Sequence, residues 1–97
     1  MTLKTTKFDI TKFLDSDEAI AEYLTEALDL NDPAYFNHAI GSVARARGMT
    51  QIAKESGIKR EALYRALSEN GNPHYTTISA VLKALGVRLV AQPIAAE

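Results

Sequence analysis

The chain has 97 residues, 46% of them hydrophobic, which is typical of one small domain with its own core. It contains no cysteine, which excludes disulfides, thiolate catalysis and cysteine-zinc sites and fits a reducing cytoplasm. Its start lacks the long apolar run of a secretory signal or membrane span, so neither is expected.

The net charge of -1 is unevenly distributed along the chain. Residues 9–32 hold eight acidic side chains and one lysine, whereas residues 33–68 hold six basic and two acidic side chains. This split predicts two surfaces with different partners, although two solvated helix faces would give the same pattern.

Helical periodicity begins in the acidic region. Ser16 is suited to cap a first helix over residues 16–29, whose apolar face would consist of Ile20, Leu24, Ala27 and Leu28. The stretch NDP then resets the chain, because Asp32 can cap a helix and Pro33 suits its first position. This second helix is predicted to end near Gly48, with an apolar stripe of Phe36, Ile40, Val43 and Ala44.

Three shorter helices are predicted next. Thr50 is a candidate cap for a third helix that Gly57 stops, and a fourth helix runs from about residue 60 to 67. The stretch SENGNPH is dense in turn formers. A fifth helix then begins at Thr76 or Thr77 and closes at Gly86, with an apolar stripe of Ile78, Val81, Leu82 and Leu85.

The tail is predicted as a strand over residues 87–92, because VRLVAQP alternates until its proline. The early stretch TTKFDI, residues 5–10, also alternates. A single strand is unstable alone, so the two segments should pair with each other or with another chain. Residues 87–91 are the first choice for part of a dimer contact. The chain as a whole is predicted to be one all-α domain of residues 1–97 with this short strand, divided into an acidic arm and helix (1–32), a core (33–86) and a tail (87–92).

The third and fourth helices meet with the residue spacing of a helix-turn-helix. Ala53 is small where the second helix would cross the first, and Gly57, four residues later, tolerates positive φ. Ile58 would anchor the turn in the core, and Leu63 would hold the second helix against the first. This combination indicates a helix-turn-helix, in which the glycine turns the second helix outward.

If those residues face inward, the second helix presents a polar and mostly basic side to solvent. In a helix-turn-helix the N-terminal part of this helix contacts base edges. The candidate DNA-binding residues are Thr50, Gln51, Lys54, Lys59, Arg60, Glu61, Tyr64 and Arg65. Arg60 and Arg65 are candidates for reading guanine, whereas Arg45, Arg47 and Lys54 would add salt-dependent, sequence-blind affinity. An ordinary amphipathic surface helix is the alternative.

The stretch GMTQIAKESGIKREALYRALSENGNP, with ALGVRL downstream, resembles the Cro/cI-type (XRE) helix-turn-helix family, and more closely its HigA-like probable addiction-module antidotes (antitoxins). The resemblance covers roughly residues 8–92. It implies a lambda-repressor-like fold of about five helices and a homodimer that represses its own operon from a palindromic operator in double-stranded DNA. It also implies neutralisation of a RelE/ParE-like toxin. The sequence departs from the family pattern at two points. About two residues fewer separate Thr50-Gln51 from Ile52-Ala53, and Lys59 stands where the recognition helix usually has a Ser or Thr cap.

The sequence contains no pattern typical of a catalytic or metal-binding site. His38 and His74 have no acidic or nucleophilic company at catalytic spacing, Ser56 lacks a nucleophile elbow, and no metal-ligand pattern is present. We therefore expect no enzyme, no metal and no cofactor. A stand-alone phage-type repressor without a toxin would use the same residues, and a pure protein-interaction domain would show no salt-sensitive binding to DNA. A neighbouring reading frame for a small basic protein would favour the antitoxin.

Overall fold

The computed structural model describes residues 16–94, which form five α-helices and no strand. The helices are α1 (Asp17–Asp29), α2 (Pro33–Arg47), α3 (Met49–Ser56), α4 (Arg60–Ala66) and α5 (Tyr75–Ala84). The all-helical prediction is therefore confirmed for this part of the chain. Within it, no helix combines the length and apolar character needed to cross a membrane.

The first two helices begin at the predicted caps. The Oγ of Ser16 accepts a hydrogen bond from the N–H of Ala19 at 3.1 Å. The Oδ1 of Asp32 accepts from the N–H groups of Ala34 and Tyr35 at 3.1 and 3.3 Å. These side chains satisfy donors that have no partner inside the helix. Local sequence alone was thus enough to place both starts.

The third helix begins earlier than predicted. Its N-cap is Gly48, which has φ 109° and makes no side-chain cap, and the helix starts at Met49. The carbonyl of Gly48 accepts from the N–H of Ile52 at 3.1 Å. Glycine at positive φ turns the chain directly from α2 into α3. Thr50 therefore lies inside the first turn of α3, and its prediction as the cap is wrong.

The fifth helix also begins earlier than Thr76 or Thr77. It starts at Tyr75 with His74 as N-cap, and no side chain caps it. The carbonyl of His74 accepts from the N–H groups of Thr77 and Ile78. The first turn is therefore closed by backbone bonds, and both threonines lie inside it.

One hydrophobic cluster draws side chains from all five helices and the residues that flank them. α3 lies at its centre, because it packs against α2, α4 and α5, while α1 packs on α2. The buried members are Ile20, Leu24, Ala27, Ala39, Ile40, Val43, Ala44, Met49, Ile52, Leu63, Leu67, Val81, Leu82 and Leu85. Leu28, which was predicted to face inward, is 40% exposed because it lines a groove instead of another helix.

The strand predicted for residues 87–92 is not present, and residues 87–94 have no regular secondary structure. The N–H of Val87 donates to the carbonyl of Leu82 at 3.0 Å, and its side chain packs against the core. A strand needs a neighbour for its backbone bonds, and residues 16–94 offer none. The suggested partner, residues 5–10, lies outside the described residues.

Candidate nucleic-acid interface

A three-residue turn, residues 57–59, joins α3 to α4. Gly57 adopts the predicted left-handed conformation, with φ 77° and ψ 11°, and its N–H donates to the carbonyl of Ala53 at 3.0 Å. Ser56 adds a contact that sequence reasoning missed, because its Oγ accepts from the N–H of Ile58 at 3.2 Å. The side chain of Ile58 packs against the core, as predicted. The direction of α4 is therefore fixed by both the backbone and the core.

α4 has a buried side and an exposed side. Leu63 is fully buried, and Ala53 packs against the same core from α3. On the exposed side, a shallow, open depression brings together four predicted DNA-binding residues: Lys59, Arg60, Glu61 and Tyr64. Arg65 is exposed on α4 but does not line this depression, and the remaining candidates are exposed on α3: Thr50, Gln51 and Lys54.

Arg60 and Tyr64 interact on the exposed side of α4. The guanidinium carbon of Arg60 lies 5.6 Å from the centroid of the Tyr64 ring, within cation–π range. The two residues are four positions apart, where helical side chains meet. Lys59, at the start of the helix, provides no side-chain cap. The absence of the usual Ser or Thr at this position therefore leaves the start of α4 without a capping hydrogen bond from its N-cap side chain. The contact with the Tyr64 ring therefore favours one orientation of the Arg60 side chain.

Two other candidate side chains are already engaged. The Nε2 of Gln51 donates to a carboxylate oxygen of Glu55 at 2.6 Å, one turn further along α3. A guanidinium nitrogen of Arg47 lies 3.2 Å from a carboxylate oxygen of Asp17 and joins the end of α2 to the start of α1. Among residues 16–94, no such carboxylate partner is found for Arg45 or Lys54. Any contact of Gln51 or Arg47 with DNA must therefore compete with these bonds.

Asn37 of α2 holds the end of α4, and sequence reasoning missed it. Its Nδ2 donates to the carbonyl of Ala66 at 3.1 Å and to the carbonyl of Ser68 at 3.3 Å. The residue is 6% exposed and is the one buried polar residue in the described part of the chain. A polar side chain within the apolar stripe of α2 was the available signal. Asn37 is therefore placed to set the position of α4.

Two glycines let neighbouring backbone approach the same end of α4. A Cβ on Gly71 would lie 2.1 Å from the carbonyl oxygen of Ala66. A Cβ on Gly41 would lie 3.0 Å from the carbonyl oxygen of Leu67. Real Cβ contacts are rarely this short, so both positions favour glycine. The loop after α4 and the middle of α2 thus both pack closely against the C-terminal end of α4.

Comparison with known proteins agrees with the resemblance at the level of the antidote family. The family model described as "Probable addiction module antidote protein" matches residues 4–93. An uncharacterized protein of Haemophilus influenzae is 44% identical over 92 residues, which cover 95% of this chain and 95% of that protein. No solved structure matches the chain. Because the family match spans nearly the whole sequence, the chain belongs to the family of probable addiction module antidote proteins.

Proposed function

We propose that the protein is the DNA-binding antitoxin of a type II toxin–antitoxin module, a HigA-like member of the Cro/cI-type (XRE) family with a lambda-repressor-like helix-turn-helix. It represses its own operon from a palindromic operator, as a homodimer, and neutralises a RelE/ParE-like toxin in the cytoplasm. It acts by binding, not as an enzyme. The observation that carries the DNA-binding part is the left-handed Gly57 between α3 and α4, which leaves a mostly basic side of α4 exposed.

The charges on that side support binding to a phosphate backbone. α4 and its N-cap carry three basic side chains (Lys59, Arg60 and Arg65) and one acidic side chain (Glu61). This stretch is therefore basic, although the chain as a whole has a net charge of -1. A local cationic surface attracts nucleic acid whatever the overall charge. In the proposed docking, Arg60 and Arg65 pair with guanine, and Glu61 accepts from cytosine. The exposed residues of α3 lie nearer the phosphates.

The length of α4 supports action as a pair. α4 has seven residues, and a helix rises about 1.5 Å per residue, so it spans about 10 Å. One such helix reads only a few base pairs, which is too little to specify one genomic site. A two-fold dimer sets two of these helices about 34 Å apart, one turn of DNA. The operator is then a palindrome with matching spacing.

Family membership supports the toxin partner in general terms, because an antidote implies something to neutralise. α1 is acidic, so a basic toxin would complement its charge better than an acidic one. The RelE/ParE type rests on the sequence resemblance alone. Neutralisation here means occupying the toxin's surface, which needs no catalytic group on this chain.

The test is co-expression with the product of the adjacent gene, followed by co-purification and a gel-shift assay on the upstream DNA. We expect a stable complex and a shift that weakens steeply between about 50 and 200 mM salt. A scrambled duplex of equal length is the control. A shift without a protein partner would favour the stand-alone repressor, and a complex without a shift would favour a pure interaction domain.

A further inference from the structure

A groove of about 760 Å³, lined by both apolar and polar side chains, runs between α1 and residues 87–94. Its apolar lining comes from both walls: Ala21, Leu24, Leu28, Leu89, Val90 and Ile94. On the tail wall, Val90 is 68% and Ile94 is 95% exposed. Exposed apolar side chains that gather in one groove, instead of being scattered singly, favour an interaction site, and the charges along the groove add to this.

A row of exposed carboxylates on α1 borders this groove: Glu18, Glu22, Glu26 and Asp29. With 3.6 residues per turn, the row lies directly beside the stripe of Ala21, Thr25 and Leu28 that faces the groove, and Asp29 itself lines it. Within residues 16–94 the ion pair that forms joins Arg47 to Asp17, so the row has no cationic partner there. The groove thus has one acidic edge.

The stability of α1 explains Glu18, which lies in its first turn, but not the rest of this row. Like charges four residues apart, such as Glu18, Glu22 and Glu26, destabilise a helix. Asp29 lies in the last turn, where the helix dipole disfavours negative charge, and that turn contains no basic residue. Only the acidic residues of the first turn favour the helix. A cation supplied from outside the chain would relieve the rest of the row.

We propose that the groove and its carboxylate row bind a basic, amphipathic segment of the toxin. Apolar side chains of that segment fill the groove, and its lysines or arginines lie along α1. Arg88 lines the opposite wall, so the basic side of the segment must face α1 and not the tail. The inference rests on the antitoxin function proposed above and names its surface and the chemistry of its partner.

This surface is separate from the candidate nucleic-acid interface. The groove shares no lining residue with the depression formed by Lys59, Arg60, Glu61 and Tyr64. The carboxylate row would repel the DNA backbone, just as it would attract a basic protein. The two surfaces therefore do not overlap, and a change at one should leave binding at the other intact.

The charge test uses the full chain and the purified product of the adjacent gene, with affinity measured by calorimetry. Glu22→Lys should weaken binding by about tenfold or more at low salt, because like charges across an interface are costly. Glu69→Lys makes the same charge change on the exposed turn after α4 and should alter affinity by less than about twofold. Equal affinities for the two variants would overturn the proposal.

The apolar test uses the double variant Val90→Ser/Ile94→Ser. Because both side chains are mostly exposed, the melting temperature should stay that of the parent while affinity for the toxin falls severalfold. If the sedimenting mass of the free protein drops instead and toxin affinity stays, the groove holds a second copy of this chain and the proposal fails. If the parent does not bind the toxin at all, the antitoxin function itself fails.

Discussion

The carboxamide of Asn37 donates a 3.1 Å hydrogen bond to the carbonyl of Ala66, 29 residues away in the chain. The last carbonyls of a helix have no partner inside it, so this bond satisfies an acceptor at the end of α4. The hydrogen bonds that hold the Asn37 side chain among the described residues are those its Nδ2 donates to the carbonyls of Ala66 and Ser68. A buried residue of α2 therefore anchors the C-terminal end of the candidate DNA-reading helix.

Replacing Asn37 should destabilise the fold. Asn37→Leu removes both hydrogen bonds and should lower the free energy of unfolding by about 1–3 kcal/mol, measured by urea denaturation. Asn37→Asp should cost more at neutral pH, because a buried carboxylate cannot donate to carbonyls. That variant should regain stability as the pH is lowered, since protonation restores one donor. A Leu variant as stable as the parent would show that these bonds contribute little.

Replacing Gly57 tests the turn without a steric complication. No atom lies within 4 Å of a Cβ added there, so the cost of a substitution is conformational. Gly57→Val should lower the free energy of unfolding by at least about 1–2 kcal/mol, because a β-branched residue resists the left-handed region. Gly57→Asn should lose clearly less, since asparagine tolerates that region. Chemical denaturation of the pair checks this, and equal losses would contradict the assignment.

Arg65 and Arg60 are the best candidates for sequence readout. Arg65→Ala should cost about 1–3 kcal/mol on the cognate operator and spare binding to random DNA. Arg45→Ala, the control, should weaken both equally and reduce the salt slope by about one. Fluorescence anisotropy on matched duplexes measures both. If Arg65→Ala loses equally on cognate and random DNA, it has no base-reading role.

The ion pair of Arg47 and Asp17 suggests a variant with higher DNA affinity. Asp17→Asn should change the free energy of unfolding by no more than about 1 kcal/mol, since both side chains of the pair are accessible to solvent. It should raise non-specific DNA affinity at low salt, because Arg47 becomes available to phosphates. Unchanged binding across a salt titration would mean that Arg47 does not face the duplex.

Shortening the tail, residues 87–94, tests whether it binds the toxin or forms the dimer contact. Val87 packs on the core, so a chain that ends at Val87 should stay folded, whereas truncation after Gly86 would also remove that contact. We expect the shortened protein to remain dimeric by sedimentation and to lose affinity for the toxin. A folded monomer would instead support the sequence-based expectation that residues 87–91 form part of the dimer contact.

Features set by neighbouring residues were predictable from the sequence. Ser16 and Asp32 cap helices through the two or three residues that follow them, and Gly57 ends α3 through its own φ. The five helices and the buried Leu63 follow from periodicity in the same way. Each of these depends on a few consecutive residues, so a pattern read along the chain is sufficient.

Features that depend on distant parts of the chain were not predictable. The bonds of Asn37 reach across about thirty residues, and no local pattern indicates the carbonyl that an asparagine will meet. Alternation in the tail predicted a strand, but a strand forms only where a second one is available. Leu28 shares the helical stripe of the core, yet it faces a groove because no helix covers it. Tertiary geometry decided all three.

The contact between Arg60 and Tyr64 also bears on the entropy of the proposed DNA recognition. An arginine side chain has about 2 kcal/mol of rotamer freedom, most of which is lost when it is held against a base. With its guanidinium already 5.6 Å from the Tyr64 ring, Arg60 has surrendered part of that freedom before any ligand arrives. Tyr64→Ala would therefore leave Arg60 with more rotamer freedom to lose and make binding by Arg60 entropically more costly, although the arginine itself is unchanged.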